Sequence, residues 1–332
     1  MEFPKTLIKR NGYIERIKPF MRKNIAKVLT GQRRVGKSFL LYQLMEQLLA
    51  EEPDANIIYI NFEDFAFSHI QTAEDMHAYI MSKVRKEKYN YIFVDEIQEI
   101  VNFERVIRSL LLNENNDIYI TGSNAKMLSG ELATYLSGRY IEFSVYSLSY
   151  LEFLEFHKLE NNNESLYLYS RYGGLPYLVN LPLKDETVNE YLKSVYSTIV
   201  FRDVVSRYNL RNSSFLEKLV QFLSENIGNL FSAKNISDYL KSQHSTISVN
   251  QVQNYTEYLN NAFLIHRVGR YDLIGKRLFE IGEKYYFENM GLRNIVIGYR
   301  ITDRAKILEN LVYSHLLYSC LLYTSPSPRD RG

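Results

Sequence analysis

The chain has 332 residues, 46% of them apolar, with only 7 Pro and 15 Gly, which describes a folded protein of about two or three domains and excludes a disordered one. Lys and Arg number 40 against 38 Asp and Glu, a net charge of +2, so no global excess of positive charge argues for nucleic acid and any such surface has to be local. One Cys excludes an internal disulfide or a zinc site, no run approaches the roughly 18 apolar residues of a membrane helix, and Met1-Glu2-Phe3-Pro4-Lys5 lacks the core of a signal peptide, so a cytoplasmic protein with no membrane partner is expected.

Residues 1–20 are mixed and basic, with a short helix expected over 13–20. An apolar, β-compatible run follows at 25–30, then Gly31-Gln32-Arg33-Arg34-Val35-Gly36-Lys37-Ser38, then a strongly helical run at 39–49. The middle stretch meets the pattern Gly, four residues, Gly-Lys-Ser/Thr at every position, and its strand and helix flanks are the context a phosphate-binding loop requires. Glycines let the backbone curl around phosphates, while the free N–H groups and dipole at the helix start favour an anion. Gly31, Gln32, Arg33, Arg34, Val35, Gly36, Lys37, Ser38 and Phe39 are therefore the candidate nucleotide-binding residues. Lys37 would reach the β and γ phosphates and Ser38 would place its hydroxyl on Mg²⁺. An ordinary glycine turn is the competing reading. The 13–20 helix is a packing segment or, alternatively, a cover for the nucleotide base.

Residues 56–61 form a nearly continuous apolar run, as expected of a strand buried on both faces of a parallel sheet. A helix is expected over 72–88, then a strand, Tyr91-Ile92-Phe93-Val94, ending in Asp95-Glu96. In a parallel sheet that strand end lies beside the phosphate loop, so Asp95 would hold Mg²⁺ through water or Ser38 and Glu96 would polarise the attacking water. A surface acidic pair is the alternative. A helix over 102–112 precedes a strand, 117–124, that ends in polar residues at the same edge. Of Thr121, Ser123 and Asn124, Ser123 is the chosen sensor of the γ-phosphate, with a helix-capping serine as the competing role. Arg139 opens the next strand and would stabilise the transferring phosphate, in cis or across a subunit boundary, or else is a solvated turn arginine.

These motifs, with Phe93-Val94-Asp95-Glu96-Ile97-Gln98, Ile120-Thr121-Gly122-Ser123-Asn124 and Leu136-Ser137-Gly138-Arg139-Tyr140, resemble a widespread prokaryotic family. Its members are AAA-type P-loop ATPases with a C-terminal domain of unknown function related in fold to PD-(D/E)XK nucleases. The likeness continues through Arg171-Tyr172-Gly173-Gly174-Leu175-Pro176, Asp203-Val204-Val205-Ser206-Arg207-Tyr208 and Asn226-Ile227-Gly228-Asn229-Leu230-Phe231 to about Ser319. It implies ATP binding and hydrolysis with Lys37, Ser38, Asp95 and Glu96 in the roles above, and it favours a role for Arg139. ATP over GTP rests on this resemblance alone.

The second half is helix-rich, with helices expected over 148–159, 164–171 and 185–205 around the turn at 172–176. Helices over 214–224, 231–240 and 248–259, then strands at 263–270 and 277–280, make the outline of a winged helix. In a DNA groove, His266, Arg267 and Arg270 would lie on the phosphates. The third helix carries no Lys or Arg from 248 to 262, however, so protein docking or a structural role competes with DNA, and His266 reads as a packing residue. Residues 305–319 read as a helix resembling the first of the nuclease-like domain, with Glu309 as a counterpart of its early acidic residue. From Cys320 the text, Leu-Leu-Tyr-Thr-Ser-Pro-Ser-Pro-Arg-Asp-Arg-Gly, resembles translated sequencing adapter, and a genuine polar tail is the alternative. Metal-dependent cleavage needs further carboxylates and a Lys besides Glu309, so the residues up to Ser319 support no claim of nuclease activity.

The expected fold is α/β. It comprises a P-loop NTPase parallel sheet sandwiched by helices at 1–146, a helical lid and connector at 147–210, a winged-helix domain at 211–281, the truncated start of a nuclease-like domain at 282–319 and a non-native tail at 320–332. The expected function is Mg²⁺-dependent ATP hydrolysis that drives a conformational switch transmitted to the winged helix, with a homo-oligomer or protein partner. The alternative is a nucleotide-gated DNA-binding or scaffold protein with negligible turnover, and a fragment that does not fold stably is the third reading.

Overall fold

A computed structural model of the chain describes residues 7–125, 133–136, 138–242, 247–269 and 282–319, with Pro4. The chain divides into two compact units, Met1–Val145 and Tyr146–Gly332.

In the first unit, α1 (Asn11–Ile17) precedes alternating strands and helices: β1 (Ala26–Thr30), α2 (Lys37–Glu51), β2 (Asn56–Asn61), α3 (Ala73–Lys83), β3 (Asn90–Asp95), α4 (Phe103–Leu110), β4 (Asn116–Gly122), α5 (Ala133–Leu136) and β5 (Tyr140–Ser144). Among the described residues the five strands form one parallel sheet in the order β2-β3-β4-β1-β5. The interior strands β1, β3 and β4 are buried along their whole length, which is why their middles read as apolar while polar residues at their ends are paired with one another. Edge strand β2 alternates between buried and half-buried residues. Val28, Ile58, Ile60, Ile92, Val94, Ile118 and Ile120 join Met76, Ile80, Phe103 and Ile107 in one apolar core. Each such side chain contributes about 1.5–3 kcal/mol on burial.

Polar side chains stitch the amino edge of this sheet. Asn56 donates to Asn90 at 2.7 Å, Asn90 to Asn116 at 3.1 Å and Asn116 to the Leu110 carbonyl at 2.9 Å. Lys27 and Asp117 form an ion pair with no solvent exposure to speak of, and Asp117 also accepts from the Arg22 N–H at 2.8 Å and the Tyr119 hydroxyl at 2.7 Å. Helix α3 is shorter than the 72–88 expected. Thr72 and Asp75 cap its start reciprocally, but Val84 is extended, and the Asn90 side chain ties 85–88 into a turn through the Arg85 N–H and Lys88 carbonyl.

The second unit is mainly helical: α6 (Tyr150–His157), α7 (Asn163–Tyr172), α8 (Asp185–Thr198) running on as a π-helix (Ile199–Ser206), α9 (Ser213–Glu225), β6 (Leu230–Phe231), α10 (Ala233–Ser242), α11 (Val249–Asn261), β7 (Ile265–Gly269), β8 (Glu283–Phe287), α12 (Met290–Ile297) and α13 (Arg304–Tyr318). Strands β6, β8 and β7 form an antiparallel sheet in that order. Among the described residues β7 pairs with β8; the expected strand at 277–280 lies outside the described residues, as do Arg270 and 320–332. β8 supplies the apolar inward face, Tyr285 and Phe287, that such a partner needs.

Helix α12 went unrecognised in the sequence, where its apolar run is too short to distinguish from a strand. It packs against α7, α8, α9 and α13 and holds Arg293, fully buried, which donates to the Ser224 carbonyl at 2.9 Å and to Asp303. A Cβ at Gly291 would strike the Tyr172 carbonyl, so glycine permits the close approach to α7. Segments expected as lid, winged helix and third domain thus share one packing centre. No described helix is long and apolar enough to cross a membrane.

Candidate functional site

Strand order decides what meets at the carboxyl edge of the sheet. Because β4 lies between β1 and β3, the loop after β1 and the acids after β3 flank the polar end of β4. Gly31 leaves β1 with φ +148°, and a Cβ there would collide with the Val145 carbonyl of the neighbouring strand, so only glycine fits. Gly36 turns into α2 with φ +97°, and Lys37 begins that helix. The loop from Gly31 through Gln32, Arg33, Arg34 and Val35 to Phe39 thus delivers the N-terminus of α2 to this edge, where its dipole favours an anion.

The predicted side chains converge here. Lys37 Nζ donates to the Gly31 carbonyl at 2.9 Å and the Gln32 carbonyl at 3.0 Å, and lies 3.9 Å from Glu96 Oε1. Thr121 Oγ1 donates to the Asp95 carboxylate, Tyr59 donates to it at 3.4 Å, and the Ser38 hydroxyl acts on the same carboxylate. Asp95 is buried; desolvation pushes its carboxyl above the ordinary value, while Thr121, Ser38 and Lys37 pull it back only in part. Glu96 sits in the left-handed region at φ +54°, which turns its side chain away from the strand run and toward Lys37. Burial works against its charge, but Lys37, Arg33, Gln98 and Ser123 outweigh that and hold its carboxyl below the usual range.

Ser123, the chosen sensor, donates to Glu96 Oε2 at 3.2 Å, so it stands beside the acid that would polarise water. Gln98 was given no role by the sequence reading, and Thr121 was weighed only as a sensor. Gln98 donates to both Glu96 and Ser123, clamping the pair. Thr121 ties the two acids together, accepting the Glu96 N–H at 2.9 Å while donating to Asp95. A polar residue at the end of an otherwise apolar strand was the available signal for Thr121. Nothing in the local text signals that Gln98 folds back.

Arg139 is not brought to this site. The register sets Ala26 opposite Tyr140 and Thr30 opposite Ser144, and Arg139 offers its carbonyl to the Ala26 N–H, so it starts β5 at the amino edge. Six residues of strand, about 20 Å at ~3.3 Å per residue, separate it from the level of Gly31. A role in cis is thereby excluded, because parallel pairing puts all strand starts at the opposite edge. In the second unit, His266 packs between Tyr146 and Tyr313 with Nε2 2.7 Å from Glu288, and Arg267 lies 3.5 Å from Glu283. Glu309 accepts from Lys284 at 2.8 Å and from Tyr286 at 2.7 Å. Among the described residues it belongs to no cluster of three or more His, Cys, Asp or Glu.

Residues 23–154 match the family model of an AAA domain, and residues 163–303 that of a domain of unknown function (DUF8612). An uncharacterized protein of Haemophilus influenzae is 36% identical over 323 residues, 94% of this chain and 79% of that relative. An uncharacterized protein of Methanocaldococcus jannaschii is 30% identical over 308 residues, 88% of this chain and 66% of the relative. Among solved structures, the Walker-type ATPase PABY2304 of Pyrococcus abyssi superposes with a TM-score of 0.56 at 16% identity, covering 88% of this chain and 96% of that one. At that identity the likeness speaks for the fold alone, and the fold of the first unit is that of the P-loop NTPases.

Proposed function

The chain belongs to the family of the Haemophilus influenzae protein, with an AAA domain followed by a domain of unknown function, and from that premise we propose that it binds Mg·ATP and hydrolyses it. One observation carries the reading: Lys37, Ser38, Asp95 and Glu96 meet at a single sheet edge beside a helix N-terminus. Ser38 and Asp95 suit a divalent cation, because a hydroxyl at the start of α2 acts on a buried carboxylate that burial leaves short of compensating charge. Bound there, Mg²⁺ supplies neutralising charge for the phosphate oxygens.

Lys37 leaves the loop carbonyls for the β and γ phosphates. A water oxygen bonds to the γ phosphorus as the bond to the bridging oxygen breaks, giving ADP and phosphate. Glu96, held ionised, accepts the proton and returns it to solvent. Ser123 and Gln98 fix the direction of that carboxylate. Arg139 serves only if a second copy presents its amino edge, which ties that role to a homo-oligomer.

Nucleotide state drives a conformational switch transmitted to a winged-helix region in the second unit. Support comes from Gly31 packing against Val145, from which the chain runs directly into that unit, and from the order α9, β6, α10, α11, β7, β8 with its three-stranded sheet. A cytoplasmic protein partner goes with this reading. The second reading, a nucleotide-gated DNA-binding or scaffold protein with negligible turnover, is favoured by the exposed Asn250, Gln251, Gln253 and Asn254 of α11, which suit base edges. Salt-dependent binding of duplex DNA that changes with ATP would select it.

The test is direct. Lys37→Ala abolishes ATP binding, and Glu96→Gln binds ATP with turnover lower by about 10²–10³-fold. Normal ATPase activity in both purified variants rejects the assignment.

A further inference from the structure

The phosphate-loop pattern leaves the third position of the loop free, yet the Arg33 side chain is specifically placed. It is buried, and its Nη1 lies 2.7 Å from Oε1 of Glu63, a carboxylate on the segment that follows β2 at the carboxyl edge. The same guanidinium is one of the cations that act on Glu96. It therefore pairs with a half-exposed carboxylate at the same sheet edge as Lys37 and lies within electrostatic reach of the buried acid that faces Lys37. Arg139 cannot supply a cation here within one chain.

Resting on the ATPase reading above, we propose that Arg33 is a further catalytic residue, the cation for the transferring phosphoryl group, which Glu63 holds in reserve until a nucleotide phosphate takes that carboxylate's place. Carboxylate and phosphate both accept the paired N–H groups of a guanidinium, so one can exchange for the other without altering the donor. The triphosphate carries more charge than Glu63 and is drawn to the same edge by Lys37 and the α2 dipole. Glu63 is 42% exposed, so water takes over its solvation when Arg33 departs. As the bond from γ phosphorus to the bridging oxygen breaks, negative charge redistributes over the phosphate oxygens and Arg33 stabilises it. No proton is exchanged, because the guanidinium stays charged throughout.

The experiment compares wild type, Arg33→Ala, Arg33→Lys and Glu63→Gln for affinity toward a fluorescent non-hydrolysable ATP analogue, for kcat, and for trapping of Mg·ADP with aluminium fluoride. Arg33→Ala is expected to weaken analogue affinity by about three- to tenfold, to lose kcat by the larger factor of about 10²–10³ and to fail to trap the fluoride complex. Arg33→Lys restores part of the kcat, since charge survives and the fork does not. Glu63→Gln, at a rim position that leaves the fold intact, raises analogue affinity about two- to fivefold. Unchanged kcat and trapping in Arg33→Ala, or weakened affinity in Glu63→Gln, overturns the assignment of Arg33 alone. Absence of both binding and turnover in the wild type removes the ATPase reading and this proposal with it.

Discussion

Replacing Thr121 by Val tests how the two acids are held. The hydroxyl is buried, donates to Asp95 and accepts the Glu96 N–H at 2.9 Å, and valine has nearly the same shape without it. A hydrogen bond to a charged group contributes about 1.5–3 kcal/mol, and an orphaned buried N–H costs about 1–3 kcal/mol. The two share one oxygen, and Asp95 keeps its bond from the Tyr59 hydroxyl and can take up a proton, so the sum is smaller than the parts, roughly 3 kcal/mol. For a unit of this size that lowers Tm by roughly 6–12 °C. Calorimetry identifies the relevant transition as the one that Mg·ATP shifts upward. Thr121→Ser keeps both hydrogen bonds and is expected to lose no more than roughly 1 kcal/mol, for a methyl group. A valine variant melting within roughly 2 °C of wild type, or a serine variant as unstable as valine, refutes the reasoning.

Three further outcomes are expected. Lys27→Met strands the buried Asp117 carboxylate and costs about 3–5 kcal/mol in urea unfolding; adding Asp117→Asn recovers most of it, because the amide oxygen still accepts from Arg22 and Tyr119. Asp95→Asn abolishes the Mg²⁺ dependence of nucleotide binding, yet stabilises the nucleotide-free protein at neutral pH. The sign follows from a folded-state pKa raised above the unfolded value: ionised Asp95 destabilises the wild type above that window, and the variant's advantage disappears as pH falls through it toward the ordinary carboxylate value, measured by Tm against pH. Gly31→Ala, which must relieve a clash with the Val145 carbonyl at positive φ, retains the fold by circular dichroism but loses nucleotide affinity by at least about tenfold.

Much of the candidate site was legible because it is written locally. Gly31 to Ser38 is one continuous stretch whose glycines, lysine and following helix signal each other within a few residues, and buried parallel strands announce themselves as apolar runs, as in β1, β3 and β4. Strand β8, at Glu283–Phe287, had no counterpart in the sequence reading, because its five residues announce a strand only once β6 and β7 flank them. Helix α12, eight residues long, owes its existence to burial among four other helices more than to its own periodicity.

By itself the sequence determined that a phosphate-binding loop lies between a strand and a helix, and that a second strand ends in Asp95 and Glu96. Both are short-range patterns of glycine, charge and hydrophobic run. Only the tertiary structure decided that β4 lies between those strands, so that Thr121 bridges the acids, that Gln98 folds back onto Glu96, that Arg33 reaches Glu63 and that Arg139 stands at the far edge. The physical reason is register: which side chains meet across a parallel sheet depends on strand order and pairing between residues far apart in the chain, and no local propensity encodes either.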